Sequence, residues 1–162
     1  SQVRKMCTQD EQLNQRIENI TTIKGVGFMT AITLIAETNG FELITHKSQL
    51  VSYAGYDVIE RQSGSSVKGK TRISKKGNSH IRRCLHFPAL SAVKYNDEFK
   101  ALFTRVFDRT KIKMKGYVAV QRKLLVLVYT LYKKNQPYDP KYAQKQAQEQ
   151  NCRQDTMPAY AG

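Results

Sequence analysis

The sequence predicts a mainly α-helical, compact domain, and three observations predict it. Apolar residues recur at helical spacings through most of the chain, asparagines stand where helices should start, and only "YDVIERQ" from Tyr56 suits an extended strand. The 162 residues suffice for one domain with a hydrophobic core, and 40% apolar content leaves room for a polar tail.

Taken in order, residues 2–20 carry Val3, Met6, Leu13, Ile17 and Ile20 on a narrow stripe that needs a partner surface. "IKGVG" breaks this helix, and "FMTAITLIAET" reads as a short buried one. After the turn "NGFEL", Ser48 is placed to cap "QLVSYAG". Asn78 is expected to cap "SHIRRCLHFPALSAVKY", with Ile81, Cys84, Leu85, Pro88 and Ala92 facing the core and a kink at Pro88. Asn96 caps "DEFKALFTRVFDRT", which puts Phe99, Leu102, Phe103, Val106 and Phe107 on one side. A basic linker, "KIKMKG", leads to the most apolar helix, 117–134, stopped by Asn135 before Pro137. From Pro140 the chain is glutamine-rich and reads as a frayed helix or loose tail. The expected core contains Ile32, Ile35, Leu50, Leu85, Leu102, Phe103, Leu125 and Val128.

Charge narrows the function. There are 27 Lys plus Arg against 13 Asp plus Glu, a formal +14. Such a surplus adds self-repulsion and points to a polyanionic partner, of which nucleic acid is the first candidate. Three separated cysteines (Cys7, Cys84, Cys152) form neither a disulfide framework nor a zinc knuckle and suit a reducing compartment. The longest apolar run, "LLVLVYTLY", is too short to span a bilayer, and no signal peptide opens the chain. The expected location is the bacterial cytoplasm, in association with the nucleoid, with no membrane partner.

Gly64 to Thr71, "GSSVKGKT", fits the nucleotide-binding pattern G-x-x-x-x-G-K-[ST]. Its context argues against a nucleotide site. "DVIERQS" is too charged for a central parallel strand, and Gly77 interrupts any helix soon after Thr71. What remains is a basic, glycine-rich loop. Between Arg61 and Arg83 stand eight basic residues (Arg61, Lys68, Lys70, Arg72, Lys75, Lys76, Arg82, Arg83) and no acidic one. A solvated surface normally mixes signs, so this run favours contact with a nucleic-acid backbone. Ser63, Ser65 and Ser66 flank Gly64; a serine beside fixed cations can contact a phosphate, or attack one once a base or metal activates it.

A second signal is "ITTIKGVGFMTAITLIAE". Two helices joined around Gly25 and Gly27 expose backbone N–H groups at the start of the second, as in a helix-hairpin-helix. Lys24 adds charge, and Ile23, Val26 and Ala31 pack the hairpin. A plain glycine turn in a helical core fits the same letters.

In sequence order, "KGVGFMTAITLIAE", "FELITHKSQLVSYAGY", "RQSG", "GKTRISKKGNSHIRRCLHFPALSAV" and "AVQRKLLVLVYTLYKKNQPYDP" resemble the C-terminal transposase domain of an insertion-sequence family. That family includes Piv-type DNA invertases and bridge-RNA-guided serine recombinases. The likeness runs from about Ile20 to Pro140. It implies a coiled-coil connector ending over residues 1–19, a DNA-binding and catalytic domain over 20–140, and a polar tail over 141–162. It also implies that Ser63, the serine of the S-G pair, is the nucleophile for strand cleavage and exchange. Magnesium would belong to a RuvC-like domain of the same or another subunit, so no cofactor is expected in this chain. Partners would be DNA, with guide RNA left open, and further copies in a homo-oligomer, while the chain alone would be inactive. Asp57-Val58 stands where the family often has proline. The competing reading is a non-catalytic nucleic-acid-binding module whose basic loop and glycine hairpin only contact phosphates.

Overall fold

The computed structural model describes residues 10–59 and 72–141, and its architecture is a helical domain assembled around one long helix. The elements are α1 (Glu11–Thr21), α2 (Phe28–Glu37), α3 (Lys47–Tyr53), β1 (Val58–Ile59), β2 (Arg72–Ile73), α4 (Ser79–Cys84), α5 (His86–Tyr95), α6 (Asp97–Thr110) and α7 (Lys113–Lys134). Each follows from local chemistry. Asp10 accepts from the Leu13 N–H at the start of α1. Asn78 Oδ1 accepts from His80 and Ile81 N–H, and Asn96 Oδ1 from Glu98 and Phe99 N–H, which satisfies donors a helix start leaves unpaired. Asn135 closes α7 in the left-handed conformation, its backbone N–H returning to Leu131 O.

The apolar stripe of α7 supplies the centre of the core. Val120, Leu124, Leu125 and Val128 are fully buried, and α1, α3, α5 and α6 pack around them. Burying a side chain of this size stabilises by about 1.5–3 kcal/mol, which outweighs the weak helix propensity of the β-branched residues in this run. Of the expected core, Leu50, Leu85, Leu125 and Val128 are fully buried; Ile32, Ile35, Leu102 and Phe103 are partly buried against it.

Four local expectations differ from the structure. Gln49, not Ser48, secures the start of α3. Its Oε1 accepts from the Thr45 N–H and hydroxyl while its Nε2 donates to Leu43 O, so the longer amide satisfies three groups a serine cannot reach. The helix expected over residues 79–95 is divided at Leu85, one turn before Pro88, because the proline has no N–H for the Cys84 carbonyl and its ring crowds that turn. Most of "KIKMKG" is the first turn of α7, seated because Gly116 lets the helix meet the Phe103 ring; a Cβ there would come within 2.6 Å of it. The extended segment at Val58 finds a partner in Arg72–Ile73, a strand hidden in the sequence by its brevity.

The first helix is docked on the domain. Ile17 and Ile20 are 2% and 0% exposed, α1 packs on α2 and α7, and buried Asn19 donates to the side chain of Asn135 at 2.9 Å. Thus Ile17 shares the core of the residues after position 20. Residues 1–9 and the tail from 142 onward, with Cys7 and Cys152, lie outside the described residues. Among the described residues no helix is long and apolar enough to cross a membrane.

Candidate nucleic-acid interface

The ends of the basic loop are brought together by a narrow antiparallel base. Val58 pairs with Ile73 and Ile59 with Arg72, so residues 60–71 leave and return at one ladder. The pairing continues below it. The Ser74 N–H donates to Asp57 O at 2.8 Å and its hydroxyl to Asp57 Oδ1 at 2.6 Å. Lys75 N–H reaches Gly55 O at 3.2 Å and Asn78 N–H reaches Tyr53 O at 2.7 Å. Gly55 turns at φ +73°, and Gly77 passes so close that any Cβ on it would collide with Tyr53 O and Gly55 N.

Arg82 clasps this base from beneath. Its Nη1 donates to Ala54 O at 2.8 Å, Gly77 O at 3.1 Å and Asn78 O at 3.4 Å, while Nη2 reaches Lys75 O at 3.4 Å. Half-buried and occupied in this way, the guanidinium holds together backbone from both arms. Hydrogen bonds from a charged donor are worth about 1.5–3 kcal/mol, and four convergent carbonyls make the arginine fork well suited to the position. The end of α2 ties in as well. Asn78 Nδ2 donates to Glu37 Oε2 at 2.7 Å, and the Tyr53 hydroxyl donates to Glu37 O at 2.8 Å.

Two weak acids, buried Tyr56 and half-buried Cys84, lie under the clasp. Burial, and secondarily the Glu37 carboxylate, pushes the Cys84 thiol up to about 11, so it stays protonated and unreactive at neutral pH. Burial, with a smaller push from Cys84, also drives the Tyr56 hydroxyl far above its ordinary range; it donates to Gln121 Oε1 at 2.9 Å. Neither group is a base poised for the loop. Among the described residues no three of His, Cys, Asp and Glu gather as metal ligands, and the nearest carboxylates, Asp57 and Glu37, are bonded to Ser74 and Asn78.

The sequence-predicted site residues separate into groups. Lys75, Lys76 and Arg83 are exposed around the clasp, with Lys75 in the left-handed conformation. Arg82 turns inward. Arg72 contributes its backbone to the ladder. Lys24, Gly25 and Gly27 stand at the far end of α2, whose ten residues separate them from the clasp by about 15 Å. Ser63, Arg61, Lys68 and Lys70, with Ser65 and Ser66, lie outside the described residues.

The glycine turn is built from contacts of its own. Gly25, at φ +97°, lies against α5, where a Cβ would meet that of Ser91 at 2.6 Å and Pro88 O at 3.1 Å. Ile23, Val26 and Ala31 are buried. Gly27 is different: a Cβ there would meet nothing within 4 Å. Glu37, Tyr53 and the inward role of Arg82 escaped sequence reasoning; the Ala54-Gly55 pair and Gly77 were the signals that backbone meets backbone here.

With this geometry in place, comparison with known proteins decides the family. A sequence model of the Transposase IS116/IS110/IS902 family matches residues 17–104, more than half of the chain. The chain belongs to that family. Similar proteins include the pilin gene-inverting proteins of Moraxella lacunata and Moraxella bovis, each 31% identical over 138 residues. The matched region covers 82% of this chain and 41% of each relative, so the chain spans less than half the length of these relatives. The family match begins at Ile17, inside α1, and runs through the clasp and into α6, so it contains both the glycine turn and the base of the basic loop.

Proposed function

We propose that this chain is the DNA-binding and nucleophile-bearing part of a DNA transposase or site-specific recombinase. In this reading Ser63 Oγ attacks a backbone phosphorus. A serine–phosphate bond forms as one phosphorus–sugar oxygen bond breaks; the hydroxyl proton passes to a base and the departing oxygen takes one up. Arg61, Lys68, Lys70 and Arg72 offset the charge gathering on the phosphoryl oxygens. Lys75, Lys76 and Arg83 hold the neighbouring backbone. Arg82 serves by holding the loop base.

The observation that carries this reading is the clasp. A segment that bears the serine and three cations, Arg61, Lys68 and Lys70, is flanked on both sides by a base fixed by the ladder, the Asp57–Ser74 pair and Arg82. A weak nucleophile needs such positioning, since correct orientation alone supplies a large part of a catalysed step. The magnesium and general base come from a RuvC-like domain of the same or another subunit, within a homo-oligomer in the bacterial cytoplasm, on nucleoid DNA, with guide RNA as a further partner. The relatives named for inverting a pilin gene support recombination as the reaction class.

The glycine turn acts as a helix-hairpin-helix. Gly27 supports this, because neither its backbone, at φ −87°, nor its surroundings require glycine. What the missing side chain leaves is room for a phosphate to reach the first N–H groups of α2, with Lys24 beside it. The test is Ser63→Ala in the longer protein. Recombination should vanish while DNA binding stays within twofold; recombination that persists would leave the non-catalytic binding module as the better reading.

A further inference from the structure

The helices after the clasp present aromatic rings to solvent among basic side chains. Phe87, in the first turn of α5, is 75% exposed, and Tyr95 at its end is 60% exposed. From Arg61 to Asn96 the sequence holds no carboxylate. Arg83 and His80 are exposed on α4, and Lys94 lies two helical turns beyond Phe87 on the same side of α5, about 10 Å along the axis. The Lys94 ammonium sits 5.2 Å from the Tyr95 ring, and the His86 ring meets Phe87 edge-on at 5.6 Å and 73°. The opposite side of α5 is committed to the fold, with Pro88, Ala89 and Ala92 buried, and the glycine turn with its exposed Lys24 packs at the edge of the open face, against Ser91 and Pro88 O.

We infer that this face binds unpaired DNA, with a base stacked on Phe87 and the flanking phosphates held by Arg83 and Lys94. A flat ring between cations suits a single strand, whose bases offer π faces and whose backbone offers charge. A duplex offers the charge but keeps its bases stacked on each other. The face thus deepens the proposed function: strand exchange requires a strand that has left its partner, and Phe87 gives that strand a resting place. An acidic protein partner would use the cations and leave the ring unexplained.

The experiment measures binding of this chain to fluorescent oligo(dT), to a duplex of equal length and to oligo(rU) at several salt concentrations, for wild type, Phe87→Ala, Phe87→Trp and Arg83→Ala. Phe87→Ala should weaken oligo(dT) about tenfold with its salt dependence unchanged, and should leave the duplex within twofold. Phe87→Trp should restore binding, which separates stacking from damage to the helix. Full oligo(dT) affinity in Phe87→Ala, equal losses on single strand and duplex, no rescue by tryptophan, or a ring effect confined to oligo(rU) would each overturn the inference. A silent Phe87→Ala beside a weakened Arg83→Ala removes this inference and leaves the proposed function standing. A wild-type chain that binds neither strand form at low salt removes both.

Discussion

The clasp and the glycine turn lie at opposite ends of α2, and both depend on glycines at close approaches. They differ in what they do with charge. At the clasp, Gly55 and Gly77 bring two backbone arms together and Arg82 is drawn inward by the carbonyls that converge there. At the turn, Gly25 alone meets the packing demand against α5, and Lys24 and Gly27 are left facing outward. The difference teaches that a run of like charges is not one surface. Arg82 and Arg83 are adjacent and identical in type, yet one fastens the fold and the other is free to meet a phosphate.

The sharpest way to break this contrast is at the glycines. Gly77→Ala should cost about 3 kcal/mol or more, because its Cβ would strike backbone that cannot swing away, as a flexible side chain could. Gly27→Ala should change stability by no more than about 0.5 kcal/mol, yet weaken duplex DNA binding. Urea unfolding of the two variants measures the first pair of values. Equal costs would remove the distinction between a glycine needed for packing and one left open.

Next in size is the arginine pair. Arg82→Ala should destabilise by about 2 kcal/mol through the stranded carbonyls of Ala54, Gly77 and Asn78, whereas exposed Arg83→Ala should stay near zero. Alkali offers an independent probe of the layer beneath. The folded state holds the Cys84 and Tyr56 protons more tightly than the unfolded chain does. Their contribution to stability is therefore whole below pH 9, begins to fail as the unfolded thiol ionises, and falls away through the folded thiol's value of about 11. Cys84→Ala should flatten the decline in melting temperature between pH 9 and 11, and an unaltered decline would place the proton linkage elsewhere.

The smallest expected effect reads binding instead of stability. If roughly five phosphates are neutralised on a duplex, log K against log salt should slope near −4 to −5. Arg83→Ala should reduce that slope by about 0.9 and Arg82→Ala should leave it unchanged. A slope lowered by Arg82→Ala would mean that the inward arginine still meets DNA.

Much of this architecture was legible beforehand because it rests on local chemistry. The asparagine caps at Asn78 and Asn96, the stop at Asn135 and the burial of Leu85, Leu125 and Val128 follow from short-range pattern. The docking of α1 was not legible, since a narrow stripe ending in Ile17 and Ile20 fits a coiled coil as well as a core. The inward turn of Arg82 was hidden for another reason. Its acceptors on Ala54, Gly77 and Asn78 are backbone atoms from two arms, and nothing in a side-chain pattern marks a carbonyl left without a partner.

The central claim, that the basic loop carries the nucleophile on a fixed base, is tested most directly by locating the covalent bond. This chain, together with the proposed RuvC-like domain, is incubated with magnesium and DNA substrate, digested, and searched by mass spectrometry for a nucleotide-modified peptide. The expected adduct sits on Ser63, disappears in Ser63→Ala, and is absent when this chain is incubated alone. An adduct on Ser65 or Ser66, or one formed at Ser63 by this chain without the proposed RuvC-like domain, would contradict the account.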